Sequence, residues 1–250
     1  MKLDDLKKLH ISKKYRQSFG CFIVEGEHPV LELQKAAQYK PELLGSELYV
    51  TDAYRYWSSP FNTHIIPERT FRQIADTENP QGILAVAPLP RAAAAPSVTE
   101  RAMYLHEIQD PGNLGTILRS LAWFGGFRLL LSPGSVDPYN PKVVRASMGA
   151  LFHVPLELDI EWQALARRFT RIAALDLAGT STRDAAFAGF DCYLFGNEAR
   201  GLPEDVCAGL AAARFSIEGA GVLESLNLAT AVNICAYELA GAGAQSATNM

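Results

Sequence analysis

The succession of apolar and amphipathic runs predicts an α/β protein of two domains, a parallel sheet covered on both faces preceded by a smaller α/β unit. Three observations carry that expectation. Strand-like and helix-like runs alternate from Met103 to Ala240. A stretch at 88–98, Pro88-Leu89-Pro90-Arg91-Ala92-Ala93-Ala94-Ala95-Pro96-Ser97-Val98, sets three prolines around an alanine run without amphipathic pattern, as a linker would. A chain of 250 residues, 48% hydrophobic and 20% charged, can bury a sizeable core in each part. The expected division is therefore 1–87, the linker 88–98, and 99–250.

The elements follow in order. Met1-Lys2-Leu3-Asp4-Asp5 opens a polar helix. Strands are expected at Phe22–Glu25, Glu47–Val50, His64–Ile66 and Ile83–Ala87, with helices at about Glu27–Ala37 and Glu68–Ala75. After the linker come strand Met103–Ile108, helix Leu114–Phe124, strand Phe127–Leu131, helix Pro141–Leu151, strand His153–Leu158 and helix Trp162–Phe169. Strands Arg171–Leu177 and Cys192–Phe195, helix Pro203–Leu210, strand Arg214–Ile217 and helix Leu226–Ala240 complete the pattern. Gly241-Ala242-Gly243-Ala244 reads as a flexible low-complexity tail.

Composition excludes several function classes. No apolar run approaches the roughly 18 to 20 residues of a membrane span, and the N-terminus lacks a signal-peptide core, so no membrane partner and a cytoplasmic location are expected. Cys21, Cys192, Cys207 and Cys235 are scattered, and the five histidines show no ligand spacing. Buried thiols and no metal are expected. The net charge of −4 argues against a general nucleic-acid binder, but its distribution is uneven. Residues 1–98 hold 12 Lys/Arg against 11 Asp/Glu, and 99–250 hold 11 against 16. Lys2, Lys7, Lys8, Lys13, Lys14 and Arg16 crowd the first twenty residues, as either a solvated helix face or a phosphate-steering patch.

Three polar clusters each follow an apolar run in the C-terminal part, where ligands of a parallel sheet bind. They are Gln109-Asp110-Pro111-Gly112-Asn113-Leu114-Gly115-Thr116-Ile117-Leu118-Arg119-Ser120, Phe195-Gly196-Asn197-Glu198-Ala199-Arg200-Gly201-Leu202-Pro203, and Leu223-Glu224-Ser225-Leu226-Asn227-Leu228-Ala229-Thr230-Ala231. The dinucleotide fingerprint, the triphosphate loop and the G-x-S-x-G elbow are all absent, which disfavours a nicotinamide oxidoreductase, an NTPase and a serine hydrolase. Ser225 and Asn227 open an apolar helix and could simply be N-caps.

Together the clusters resemble the motifs of the SpoU (TrmH-like) branch of the SPOUT RNA 2′-O-ribose methyltransferases. Asn113, Gly115 and Arg119 match N-x-G-x-x-x-R. Gly196, Glu198, Gly201 and Leu202 match G-x-E-x-x-G-L. Ser225, Leu226 and Asn227 match the core of E-S-L-N-V. The segment from Asn140 to Ala150, which includes Arg145, is similar to the family's helix between the first two motifs. Phe22-Ile23-Val24-Glu25-Gly26 with the basic arm resembles the L30e-like RNA-binding domain often fused to this branch. One departure is Ile217-Glu218-Gly219, where family members commonly have Ile-Pro-Met.

The resemblance implies a C-terminal parallel sheet with a deep trefoil knot, a homodimer, and S-adenosylmethionine as cofactor, held near Leu175, Gly196, Ile217, Leu226 and Asn227. It implies a substrate of ribosomal or transfer RNA, the first favoured, bound in part through Lys13, Lys14, Arg16 and Arg145. Arg119 would clamp the adjacent phosphate and stabilise the developing alkoxide rather than act as a base, because a guanidinium stays protonated. Asn113, Glu198, Ser225 and Asn227 would complete the catalytic set by orienting Arg119 and the ribose. The alternative from another class is a non-catalytic RNA-binding or ribosome-assembly protein that keeps the fold.

Overall fold

The computed structural model describes residues 1–90 and 100–248, and contacts sort these into two units, one of 1–90 with 137–153, the other of 100–136 with 154–248. The proline- and alanine-rich stretch beyond Pro90, the greater part of the expected linker, lies outside the described residues.

In the first unit the basic arm folds as two helices, α1 (Leu3–Ile11) and α2 (Lys13–Phe19). Ser12 separates them by capping α2, its hydroxyl accepting the Lys14 N–H at 3.2 Å. There follow β1 (Cys21–Glu25), α3 (Glu27–Ala37), β2 (Glu47–Val50), β3 (Asn62–Ile65), α4 (Glu68–Ile74) and β4 (Ile83–Pro88). The sheet runs β1-β4-β2-β3, with β4 antiparallel to both neighbours and β3 parallel to β2. Leu6, Leu9, Phe71 and Ile74 from α1 and α4 bury against Ile23, Tyr49 and Leu84. Every residue of β1 is buried, so its other face also needs cover.

In the second unit β5 (Arg101–Leu105), α5 (Pro111–Phe124) and β6 (Phe127–Leu131) form a first βαβ step. Leu114, Ile117, Leu118 and Leu121 recur along one face of α5 and are buried. The chain continues through α6 (Pro141–Ser147), β7 (Leu156–Glu157), α7 (Leu165–Arg168), β8 (Ile172–Ser181), β9 (Cys192–Phe195), α8 (Glu204–Gly209), β10 (Ala213–Ser216) and α9 (Leu228–Thr248). The expected parallel sheet is present, in the order β10-β8-β9-β5-β6-β7. β6 and β9 are buried throughout, and β5 after its first residue, as strands covered on both faces must be. Helix α9 runs on past Ala240, so the glycine–alanine stretch expected as a tail continues the helix. No helix among the described residues is long and apolar enough to cross a membrane.

Residues 137–153, α6 among them, belong to the first unit by contact although the sequence grouped them with the second. They supply the cover β1 lacks: the Phe22 ring meets Tyr139 at 4.9 Å and Phe152 at 6.3 Å. This packing overturns one expectation. Arg16, assigned to an RNA-facing patch, is 3% exposed. Its Nε and Nη2 reach Asp137 Oδ2 at 2.8 and 2.7 Å, and its Nη1 donates to the Leu9 carbonyl at 2.5 Å. A guanidinium so enclosed holds the fold and has no free edge for a phosphate. Arg145 pairs with Asp76 at 2.5 Å, Lys13 is half-buried, and Lys14 stands exposed.

Removing one partner of a buried ion pair strands the other charge, at a cost of about 3–5 kcal/mol. Asp137→Ala is therefore expected to lower unfolding free energy by about 3 kcal/mol in denaturant titrations, and Arg16→Met with Asp137→Leu to recover much of that loss.

Candidate active site

The carboxyl ends of β5 and β9 lie side by side, paired through Leu105↔Phe195, so the loops that follow them must meet. In the first loop Asp110 is the N-cap of α5, accepting the Asn113 N–H at 2.6 Å, and Pro111 takes the first helical position, where no amide donor is needed. This fixes Asn113 in the first turn with its amide free for other work. Arg119 follows on the same helix, exposed, its side chain making no hydrogen bond or ion pair among the described residues.

The second loop is a tight turn. Asn197 and Gly201 pair their backbones at 3.1 and 2.9 Å, and Gly201 closes the turn at φ 67°, a conformation that favours glycine. A Cβ on Gly196 would sit 2.1 Å from the Gly201 carbonyl carbon and 2.2 Å from the Leu202 nitrogen, so only glycine fits the approach. Asn197 is 8% exposed. Its Nδ2 donates to the Glu107 carbonyl at 2.7 Å while its Oδ1 accepts from the amides of Ala199 and Arg200 at 3.0 and 3.2 Å. The sequence reading gave Asn197 no role. An Asn in G-N-x-x-x-G directly after a strand end is a turn signal that could have found it.

Glu198, on this turn, reaches across to the first loop. Its carboxylate accepts the backbone N–H of Gln109 and of Asp110, each at 3.1 Å, and Asn113 Nδ2 at 3.2 Å. Asn113 Oδ1 in turn accepts from Asn227 Nδ2 at 2.9 Å, and Asn227 Oδ1 accepts the Thr230 N–H at 3.2 Å. The three motifs thus join in one hydrogen-bonded chain. Burial by itself would raise the Glu198 pKa, but the hydrogen bonds from its own amide, Asp110, Asn113 and Gln109 outweigh it and hold the carboxyl below its ordinary value.

Of the two candidate caps for α9, Asn227 is the cap: its carbonyl also accepts the Ala231 N–H at 3.0 Å. Ser225 is exposed, lies outside the helix, and does not join the chain of bonds. Gly196 and Ile217 directly follow β9 and β10, and Leu175 comes directly after the last residue of β8 that pairs with β9. There β8 leaves its neighbours. It pairs with β9 as far as Ala174↔Leu194, and residues 175–179 stand opposite no residue of β10 before pairing resumes at Thr180↔Phe215. Backbone groups of this stretch are released from the sheet ladder, and apolar Leu177 within it and Leu226 beside Asn227 are 74% and 47% exposed. Backbone donors and acceptors beside uncovered apolar side chains suit an adenosine ring and its ribose.

Comparison with known proteins agrees with this geometry. The SpoU rRNA Methylase family profile matches residues 100–237, and the MRM3-like substrate binding domain matches residues 2–85. The chain is 30% identical over 247 residues, 96% of each protein, to the 23S rRNA (guanosine(2553)-2′-O)-methyltransferase RlmP of Bacillus subtilis. A TrmH-family protein of known structure from Porphyromonas gingivalis superposes with a TM-score of 0.81 at 32% identity, covering 95% of this chain and 96% of that one. The AdoMet-bound rRNA methyltransferase from Sinorhizobium meliloti gives 0.76 at 27% identity, covering 95% and 93%. With three motifs drawn into one polar chain at the carboxyl end of a parallel sheet, the chain belongs to the SpoU rRNA methylase family of S-adenosylmethionine-dependent RNA 2′-O-ribose methyltransferases.

Proposed function

We propose that this protein methylates a ribose 2′-hydroxyl of large-subunit ribosomal RNA, with Arg119 as the residue that acts on the reacting nucleotide. The observation that carries the reading is the Glu198–Asn113–Asn227 chain, because it ties the start of α5, the helix that also carries Arg119, to the second and third motifs. The RlmP relative supports ribosomal RNA by acting on 23S rRNA. S-adenosylmethionine, when bound, supplies an already activated methyl group. The chain itself must align the ribose oxygen and favour its deprotonation. Arg119, exposed and without a carboxylate partner among the described residues, can fork onto a phosphate and stabilise the developing alkoxide. Asn113 is occupied with Glu198 and Asn227, and Asn227 with Asn113 and the Thr230 amide, so their role is to position the first loop.

Residues 1–87 are proposed to recognise the RNA and 99–250 to carry the chemistry, as the two family matches support. The deep trefoil knot is proposed for the second unit, as the family match supports. We also propose a homodimer through α5 and α9. Trp123 and Tyr237 are 85% and 68% exposed there, Tyr237 packs edge-on against Phe124 at 6.0 Å, and buried Asn233 Oδ1 and Glu238 Oε2 lack partners among the described residues. The four buried, unpaired thiols fit a reducing compartment such as the cytoplasm.

Calorimetric titration with S-adenosylmethionine, followed by mapping of 2′-O-methyl sites in total RNA with and without the gene, tests the reading; no binding, or an unchanged map, removes it. Arg119→Lys keeps the charge but loses the planar fork, and turnover is expected to fall about 100-fold with cofactor affinity retained. Glu198→Gln replaces an acceptor by an amide that cannot serve both backbone donors, lowering kcat/KM by about 10- to 100-fold. A carboxyl held below its ordinary pKa contributes stability that is complete above the unfolded value of about 4.3 and lost as pH falls through the lower folded one. The melting-temperature difference between wild type and Glu198→Gln should therefore persist at neutral pH and close only below about pH 4. Trp123→Glu is expected to shift light-scattering mass toward the monomer.

A further inference from the structure

We propose that Arg200 is a phosphodiester-binding residue at the rim of the site, with Glu107 as its counter-ion in the RNA-free protein. The inference rests on reading the cluster as the active site of an RNA methyltransferase. Arg200 Nη2 lies 2.5 Å from Glu107 Oε2, and the two side chains are 68% and 38% exposed. Exposed pairs of this kind contribute little to folding. Neither backbone depends on the pair. The Arg200 amide is held by Asn197 Oδ1 at 3.2 Å, the Glu107 amide by Ser132 Oγ at 2.7 Å, and the Glu107 carbonyl by Asn197 Nδ2 at 2.7 Å and Gln109 Nε2 at 3.0 Å.

Glu107 itself sits at φ 51°, a left-handed conformation that glycine adopts freely and an L residue adopts at a cost. The side chain is therefore present against the local backbone preference, and its carboxylate meets Arg200. The remaining guanidinium donors of Arg200 make no bond among the described residues and face solvent. They sit two residues from Glu198 on a turn whose shape is locked by the Asn197–Gly201 bridge. A planar fork with a fixed root and a free edge matches the two oxygens of a phosphodiester. Residues 99–250 carry 11 basic against 16 acidic residues, so a polyanion approaching this part needs placed cations rather than a general field. Arg119 supplies one, and Arg200 supplies another from the second motif. Glu107 balances Arg200 and holds it outward until the strand arrives.

The test uses the full chain with ribosomal RNA from cells lacking the gene. Filter binding of that RNA across a salt series is read beside methyl transfer from tritiated S-adenosylmethionine and calorimetric cofactor affinity. Arg200→Gln is expected to raise the RNA Kd and KM about tenfold and to reduce the slope of log K against log salt by about 0.7–1, with cofactor affinity within twofold. Arg200→Lys should restore the slope but only part of the affinity. Glu107→Gly, which removes the counter-ion and suits the backbone, should tighten RNA binding. An unchanged RNA Kd and salt slope in Arg200→Gln overturns the proposal, as does a loss of cofactor affinity parallel to the loss of RNA, which would mark a structural pair. RNA binding without methyl transfer by the wild type would defeat the enzymatic reading and leave the Arg200 result to stand on the binding data. Absence of RNA binding by the wild type would defeat both.

Discussion

The carboxylate of Glu198 sets the direction of the hydrogen bonds that link the three motifs. Ionised, it can only accept, so it claims two backbone amides of the first loop and the Nδ2 of Asn113. Asn113 is left with its oxygen toward Asn227, which must then donate through Nδ2 and keep its own oxygen for the Thr230 amide at the start of α9. One charge thereby orients two amide side chains and a helix cap drawn from segments more than 80 residues apart. The bonds that hold Glu198 low in pKa are the ones that place α5, so protonation and site geometry are coupled.

Close backbone approach is what makes such a clamp possible. Gly196 lets the 197–201 turn fold back onto the end of β9, and Gly179 allows β8 to lie against the Arg214–Phe215 backbone, where an added Cβ would come within 2.6 Å. Between these points β8 departs from its neighbours for residues 175–179, and Leu175, one of the residues proposed to hold the cofactor, opens that stretch with backbone groups outside the ladder. A fully regular sheet would have spent those backbone groups on its own ladder.

Much of this was legible in the chain. Period and length gave the parallel sheet, because strands buried on both faces must be continuous apolar runs; Glu47–Val50 and Glu27–Ala37 fell where the pattern put them. The polar residues of the motifs were visible as groups with no other employment at strand ends. Arg16 was not legible. In sequence it stands among lysines in a basic arm, and only the return of Asp137 to that unit turns it into a buried partner. The same return explains why 137–153 escaped the linear division: the segment is needed by β1, whose second face nothing closer in sequence fully covers.

The sequence by itself determined the alternating architecture, the three motifs and, through the resemblance, the class of reaction, because local periodicity and fixed spacing survive without knowledge of contacts. Tertiary structure alone decided which polar residues act together. Ser225 and Asn227 are equivalent as helix-start residues in the chain, yet only Asn227 lies within reach of Asn113. Arg200 and Glu107 are 93 residues apart and carry no pattern that pairs them. Hydrogen bonds and ion pairs act over about 3–4 Å, and that proximity is set by how β5 and β9 lie side by side, which no local stretch of sequence encodes.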